Sequence, residues 1–331
     1  MPRIKILLLI AVLCCALSGC SVSVLDHMTV EEKIAQMMIV FSHDKDIRRL
    51  SDLGVGGFHI GLEPNEEAVR TKVHRILRAS HIPPLITADL EGCRNPFEEF
   101  AIFPSLSTIK TVEEAYTLGT QHGTLLKDLG FTTNLAPVLD REDRIEECRS
   151  FNGSAEHIAQ VGASYIAGVQ STGVMAVAKH YPGQTLSSDD LHLTSTQETI
   201  TQDDLLPFFE AINADAKGIL VGHQLVTGAL DSQGMPASSS PQIVQSLRPY
   251  YEGLLITDDL GMQGARDHFE SSTALIRASI DAGYDLVIFF GSADEVEQAI
   301  QDIAQAVKNN EISEYRLDIS VARILATKGL Q

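Results

Sequence analysis

The chain has 331 residues, 44% of them apolar and 21% charged, which is the composition of a globular protein and not of a disordered one. Asp and Glu outnumber Lys and Arg by 44 to 25, so the formal net charge is −19. Because binding to phosphate groups requires a basic surface, we expect no nucleic-acid partner. A neutral substrate is more compatible with this charge.

The first nineteen residues have the composition of a signal peptide. Arg3 and Lys5 precede an apolar run over residues 6–17, which is too short to span a membrane. The ending Leu-Ser-Gly-Cys at residues 17–20 resembles a bacterial lipobox, which implies cleavage and a lipid on Cys20. The alternative is a plain secretory signal that is cut nearby.

The expected lipid would anchor the mature chain to a membrane surface. Ser21, directly after the cysteine, resembles the pattern that sorts lipoproteins to the outer membrane. We therefore expect a protein of the bacterial cell envelope, on the periplasmic side of the outer membrane if the host has two membranes. In this interpretation residues 1–19 are the signal, residues 20–27 are a tether, and residues 28–331 are one folded domain.

Helical and strand-like patterns alternate through the expected domain. Thr29 and Glu32 form a capping box, which predicts an opening helix. Eight apolar runs with the character of strands follow, at residues 38–41, 55–60, 84–88, 131–135, 174–178, 218–221, 253–257 and 285–290. Amphipathic helical patterns lie at residues 66–79, 112–129, 155–171, 205–216 and 271–282, and a closing helix is predicted at residues 312–330.

This alternation predicts an α/β protein built as a single (β/α)8 barrel of the TIM type. No Gly-x-Gly-x-x-Gly pattern follows the first apolar run, which removes the main support for a dinucleotide-binding open sheet. The sequence after residue 28 has no repeat of fixed period and no linker rich in Pro or Ser, so one domain is expected.

Charged or imidazole side chains follow several of the apolar runs, at the strand ends that build the active site of such a barrel. They are Asp89, Glu91 and Arg94 after the third run, Asp140 and Arg149 after the fourth, Lys179, His180, Asp190 and His192 after the fifth, His223 after the sixth, and Asp258 and Asp259 after the seventh. Burying such groups without partners costs several kcal/mol, so stability alone does not explain the set. Individually, Asp140 could cap a loop, His223 could be a satisfied core histidine, and Asp259 could pair with a neighbouring strand.

Two reaction classes could use these residues. Metal-assisted hydrolysis of the amidohydrolase type needs a His-x-His pair after the first strand, where this chain has Ser42 and His43. His43, His180 and His223 nevertheless keep that alternative open. Glycoside hydrolysis needs a carboxylate at the anomeric carbon, a proton donor and groups that bind the ring hydroxyls, and the sequence offers candidates for all three.

Several motifs resemble those of the bacterial β-N-acetylhexosaminidases of glycoside hydrolase family 3. Residues 179–183 (Lys-His-Tyr-Pro-Gly), followed by Asp190 and His192, resemble the family's Lys-His-Phe-Pro-Gly loop and its Asp-x-His pair at the same spacing. Residues 256–262 (Ile-Thr-Asp-Asp-Leu-Gly-Met) are similar to its Ser-Asp-Asp-Leu-x-Met nucleophile motif. Further matches are residues 89–94 (Asp-Leu-Glu-Gly-Cys-Arg), residues 134–137 with Asp140, and residues 149–151, and the resemblance covers residues 28–330.

The resemblance implies a retaining exo-β-N-acetylglucosaminidase that needs no cofactor and no metal ion. Its carbohydrate substrate would be terminal β-linked N-acetylglucosamine in fragments of peptidoglycan or chitin. Asp258 would be the nucleophile, and His192, oriented by Asp190, would act as general acid and then as base. An imidazole, whose ordinary pKa is about 6.5, suits that double role. The residues implied to bind the sugar hydroxyls are Asp89, Arg149, Lys179 and His180.

The chain departs from the family at residues 184–187, where Gln-Thr-Leu-Ser replaces His-Gly-Asp-Thr. Losing the glycine restricts the backbone at Thr185. Because of this departure, two alternative functions stay open. The protein could be a lipoprotein that binds sugar but has lost turnover, or it could be a related β-glycosidase or phosphorylase. Cys93 replaces a family glycine and Cys148 precedes Arg149, so a disulfide that joins these two loops is a further hypothesis.

Overall fold

The computed structural model describes residues 23–141, 148–184 and 196–330. Its strands are β1 Met38–Phe41, β2 Gly57–His59, β3 Leu85–Ala88, β4 Thr133–Asn134, β5 Met175–Tyr181, β6 Gln197–Ile200, β7 Gly218–Val221, β8 Leu225–Gly228, β9 Leu254–Asp259 and β10 Leu286–Ile288. Its α-helices are α1 Val30–Gln36, α2 Ile47–Asp52, α3 Glu66–Ala79, α4 Val112–Leu129, α5 Ala155–Ser171, α6 Gln202–Asn213, α7 Pro241–Leu247, α8 Gln263–Arg266, α9 Ser272–Ala282, α10 Ala293–Lys308 and α11 Glu314–Thr327. No helix in these ranges is both long enough and apolar enough to cross a bilayer.

Eight strands within the described ranges close into a parallel barrel, in the order β1-β10-β9-β7-β5-β4-β3-β2. Each of them coincides with or overlaps one of the eight apolar runs of the sequence, so the α/β class and the (β/α)8 barrel are confirmed. Ile86 of β3 and Val221 of β7 have no exposed surface, because helices cover the outside of the barrel and side chains fill its interior. Burial on both faces is the reason that these strands form continuous apolar runs.

A second, two-stranded parallel sheet pairs β6 with β8, with Gln197 opposite Leu225. These two strands were not predicted from the sequence. β6 alternates exposed and buried residues, but one of its two buried side chains is the charged Glu198. A strand whose inner face carries a carboxylate lacks the alternation of polar and apolar residues by which strands are recognised.

The described residues include part of the segment that was expected to be a tether. Val24–His27 form a 3-10 turn, and Val24 and Leu25 pack against the hydrophobic core. The opening helix α1 begins as predicted: the hydroxyl of Thr29 accepts the N–H of Glu32, and the Glu32 carboxylate accepts the N–H of Thr29 at 2.7 Å.

Two barrel strands extend further toward the carboxyl face than the sequence predicted. β5 continues through Lys179 and His180 to Tyr181, which pairs with Val221 of β7. β9 likewise includes both aspartates of its motif, and Asp259 pairs with Ile288 of β10. Polar residues therefore stand within these strands and not after them, because each has partners at the barrel mouth.

Candidate active site

Asp258 stands at the carboxyl end of β9, with a side chain that is 22% exposed. Its Oδ2 atom lies 3.9 Å from Nε2 of His180, and its Oδ1 atom accepts the backbone N–H of Asp259 at 2.8 Å. Burial alone would raise the pKa of Asp258, but His180, His223 and Lys179, together with the Asp259 N–H, outweigh it and hold the pKa below its ordinary value. At neutral pH Asp258 is therefore an ionised carboxylate.

His180 is oriented by the buried carboxylate of Asp140. The Nδ1 atom of His180 lies 2.7 Å from Oδ2 of Asp140, while Oδ1 accepts the backbone N–H groups of His180 at 3.2 Å and Gln184 at 3.0 Å. Because a carboxylate only accepts, Nδ1 carries the proton and Nε2 is the atom that faces Asp258. Asp140 thus does cap a loop, as one sequence alternative held, but it also fixes an imidazole beside the candidate nucleophile.

Lys179, the residue before His180, connects two carboxylates at the mouth of the barrel. Its Nζ atom lies 2.5 Å from Oδ1 of Asp89 and also contacts Oε1 of Glu91. Burial alone would lower the pKa of Lys179, but the two carboxylates raise it above its ordinary value. Burial opposes the ionisation of Asp89, but Lys179 and then His59 overcome it and lower the pKa of Asp89 to about 2. Lys179 and Asp89 are therefore both charged at neutral pH.

Arg149 lies on the other side of Glu91. One of its terminal nitrogens is 3.7 Å from Oε2 of Glu91, and both side chains are buried. Glu91 thus lies between two positive side chains, and one of them, Lys179, also holds the 37% exposed carboxylate of Asp89. Such a group can donate hydrogen bonds to, and accept them from, the hydroxyls of a neutral sugar.

His223 has the environment of a satisfied core histidine, as one sequence alternative proposed. It has no exposed surface, and its Nε2 atom lies 2.9 Å from the carbonyl oxygen of Asp259. Since a carbonyl only accepts, Nε2 carries the proton and Nδ1 accepts from the hydroxyl of Ser238 at 2.8 Å. The ring therefore holds the backbone next to Asp258 in place.

Asp259 joins the ends of β9 and β10. Its Oδ1 atom accepts the backbone N–H of Gly261 at 2.9 Å and that of Phe290 at 3.0 Å. The alternative that Asp259 pairs with a neighbouring strand is therefore confirmed. Of the two adjacent aspartates, it is Asp258 whose carboxylate lies beside His180.

A disulfide between Cys93 and Cys148 joins the loops after β3 and β4, as was hypothesised. Their Cα atoms are 5.9 Å apart, within the range that disulfides require. The first loop carries Asp89 and Glu91, and Arg149 directly follows Cys148. The cross-link therefore connects the segments that supply both sides of the Glu91–Arg149 contact.

The predicted acid/base pair, Asp190 and His192, lies outside the described residues, as does most of the divergent segment at residues 184–187. Gln184, the first residue of that segment, is described: it is 5% exposed, and its N–H is bonded to Asp140. The other predicted site residues are described and form two sets of contacts at the carboxyl face of the barrel. One set contains Asp89, Lys179 and Arg149, which meet through Glu91 and Lys179, and the other contains His180 and Asp258.

Sequence reasoning missed His59 on β2 and Thr87 on β3. The Nε2 atom of His59 lies 3.6 Å from Oδ2 of Asp89, and its Nδ1 atom lies 3.1 Å from the hydroxyl of Thr87. The signal was present in the sequence as a histidine inside the apolar run at residues 55–60. A histidine on a strand is usually part of the core, so this one did not stand out as a site residue. Only the register of the paired strands shows that it lies beside Thr87 and Asp89.

A closed parallel barrel that brings an ionised carboxylate, an oriented imidazole and a lysine–carboxylate cluster to its carboxyl face is the architecture of a barrel hydrolase. The chain belongs to glycosyl hydrolase family 3, whose N-terminal domain it matches over residues 29–327. It is therefore a glycoside hydrolase, and the amidohydrolase alternative is wrong.

Relatives match along most of the chain. The β-hexosaminidase LpqI of Mycobacterium tuberculosis is 28% identical over 327 residues, which cover 91% of this chain and 83% of LpqI. The solved structure of M. tuberculosis LpqI superposes with a TM-score of 0.84 at 26% identity, over 92% of this chain and 95% of that one. A family 3 β-N-acetylglucosaminidase from Paenibacillus superposes with a TM-score of 0.84 at 26% identity, and this chain spans 62% of its length.

Proposed function

We propose that the chain is a retaining exo-β-N-acetylglucosaminidase that removes terminal β-linked N-acetylglucosamine from fragments of peptidoglycan or chitin. The observation that carries this proposal is the setting of Asp258, an ionised carboxylate 3.9 Å from an imidazole nitrogen at the carboxyl face of the barrel. The names of its relatives, β-hexosaminidase and β-N-acetylglucosaminidase, support the class of sugar.

In the proposed first step, a carboxylate oxygen of Asp258 attacks the anomeric carbon and the bond to the leaving oxygen breaks. His192, oriented by Asp190, donates a proton to that oxygen, so the leaving group departs as a neutral alcohol. In the second step His192 takes a proton from water, the water oxygen attacks the anomeric carbon, and Asp258 leaves as a carboxylate. Two inversions give overall retention.

Asp89, Lys179, Arg149 and His180 would hold the sugar ring. The 37% exposed carboxylate of Asp89 is suited to accept hydrogen bonds from ring hydroxyls, while the buried Lys179 fixes its position and charge. Arg149 contacts the neighbouring carboxylate of Glu91. His180 would act on the ring next to the reacting carbon, because its Nε2 atom faces Asp258.

Hydrolysis of an aryl β-N-acetylglucosaminide tests the proposal. We expect release of the phenol, with the β-anomer of the sugar formed first when the product is followed by NMR. Asp258→Asn should lower kcat by about a thousandfold or more, because the amide is not a nucleophile. The matched control is Asp281→Asn on the exposed face of α9, which should retain full activity.

Three outcomes would contradict parts of this proposal. Activity that survives Asp258→Asn would remove Asp258 as the nucleophile. Binding of N-acetylglucosamine by calorimetry without any turnover would favour the sugar-binding lipoprotein, and a rate that rises with phosphate would favour the phosphorylase.

We also propose that the mature protein is anchored to the bacterial cell envelope through a lipid on Cys20, on the periplasmic side of the outer membrane in a host with two membranes. Support comes from Leu-Ser-Gly-Cys at residues 17–20 and from Ser21. Wild-type protein should incorporate labelled palmitate and partition into detergent, whereas Cys20→Ala should do neither. An unlabelled wild type would leave the plain secretory signal as the better explanation.

A further inference from the structure

His59 lies between an aromatic cluster and the candidate sugar-binding carboxylate. Its ring centroid is 5.1 Å from that of Phe290 and 6.0 Å from that of Phe41, and the side chain is 7% exposed. Its Nε2 atom lies 3.6 Å from Oδ2 of Asp89. The ring therefore packs against two phenylalanines, and its Nε2 atom is directed at Asp89.

The two ring nitrogens of His59 have different partners, which defines the direction of the contact. Burial lowers the pKa of His59, so the ring is neutral at neutral pH, with one N–H donor and one acceptor. The hydroxyl of Thr87, buried at 3.1 Å from Nδ1, can donate to that nitrogen. The proton then resides on Nε2, the atom that faces the carboxylate of Asp89.

Lys179 and His59 approach different oxygens of the Asp89 carboxylate. Lys179 donates to Oδ1 at 2.5 Å, and His59 approaches Oδ2. A carboxylate held by one lysine alone can rotate about its last bond, whereas a second donor on the other oxygen fixes the plane of the carboxylate. The 3.6 Å separation is longer than a hydrogen bond, and such contacts commonly shorten when substrate closes a site.

We propose that His59 is a positioning residue, which together with Thr87 fixes the carboxylate plane of Asp89 so that this carboxylate accepts a ring hydroxyl of the terminal sugar. This inference rests on the proposed glycosidase function and adds two residues to its site. His59 touches no reacting atom; it acts through Asp89.

Two substitutions of His59 separate donation from packing. His59→Leu keeps an apolar side chain against Phe41 and Phe290 but removes the N–H, and we expect kcat/KM to fall by about tenfold. His59→Gln returns an amide N–H near the position of Nε2 and should recover most of that loss. The matched control is His43→Leu, which removes an exposed imidazole beside Phe41 and should leave kcat/KM unchanged.

A double-mutant cycle with Asp89→Asn is the decisive measurement, because a merely structural role for His59 would give additive losses. We expect His59→Leu to cause little further loss in the Asp89→Asn background. An equal loss in both backgrounds, or no recovery in His59→Gln, would overturn the inference.

Binding of N-acetylglucosamine to wild type and His59→Leu, measured by calorimetry, keeps this inference separate from the proposed function. If wild type binds the sugar but does not hydrolyse glycosides, the glycosidase proposal fails, while a roughly tenfold weaker affinity of His59→Leu would still support positioning. Equal affinities would overturn it, and so would a wild type that binds no sugar.

Discussion

The Nε2 atom of His180 lies 3.9 Å from Oδ2 of Asp258, and Nδ1 of the same ring lies 2.7 Å from the carboxylate of Asp140. One imidazole thus connects a buried, hydrogen-bonded carboxylate to a more exposed one. The buried carboxylate fixes the ring, and the ring in turn helps to keep the exposed carboxylate ionised.

Asp140→Asn should impair catalysis more than it impairs folding. An amide placed there carries no charge and can turn its N–H toward Nδ1 of His180, so the ring loses the acceptor that orients it beside Asp258. We expect kcat/KM to fall by about tenfold to a hundredfold, as measured on an aryl glycoside. Asp203→Asn, an exposed aspartate 3.9 Å from Arg141, is the control and should be neutral. Unchanged kinetics in Asp140→Asn would contradict the orienting role.

Stability should depend on the ionisation of Asp89 at acidic pH. Its folded-state pKa of about 2 is lower than the ordinary value of 3.8, so its contribution is present above about pH 4 and is lost as the pH falls toward 2. We would measure the free energy of unfolding in urea from pH 6 down to pH 2. It should differ between wild type and Asp89→Asn near pH 6, and the difference should shrink as the pH approaches 2. In Lys179→Gln, which lacks the main favourable charge, the loss should begin at higher pH. A difference that is constant with pH would argue against the coupling.

Opening the Cys93–Cys148 disulfide should weaken both the fold and substrate binding. The bridge closes a loop with a sequence separation of 55, so its loss should lower the free energy of unfolding by about 2–4 kcal/mol. We expect Cys93→Ala/Cys148→Ala to raise KM severalfold with a smaller change in kcat, because the loop that carries Arg149 loses its covalent link to the loop that carries Asp89 and Glu91. Dithiothreitol should reproduce this effect in wild type and have no effect on the double variant. An unchanged KM would show that the cross-link serves stability alone.

Gly119→Ala should destabilise the protein although alanine is the better helix former. A Cβ atom at Gly119 would lie 2.3 Å from the carbonyl oxygen of Tyr165, so α4 and α5 would have to move apart. We expect a loss of about 1–3 kcal/mol in unfolding experiments, against a gain of about 1 kcal/mol from helix propensity. Thr124→Ala, on the exposed face of the same helix, should be neutral or slightly stabilising. Greater stability of Gly119→Ala would contradict this close helix packing.

The alternation of apolar runs with amphipathic patterns was sufficient to predict the barrel, because burial on both faces of a strand and on one face of a helix leaves a periodic signal in the local sequence. Helices α3, α4 and α5 were predicted to the residue for the same reason. The small β6–β8 sheet left no such signal, since Glu198 is buried in it.

The sequence by itself also determined which residue types gather at the strand ends, and motif resemblance suggested which of them carry the chemistry. Only the tertiary structure decided the pairings: Lys179 with Asp89, 90 residues away, and His180 with Asp140, 40 residues away. The tertiary structure also revealed that His59 lies beside Asp89. It distinguished the two adjacent aspartates as well, because Asp258 lies beside His180 whereas Asp259 accepts backbone N–H groups. The reason is geometric: strand register and side-chain direction, which set these contacts, depend on closure of the whole barrel and leave no trace in the local pattern.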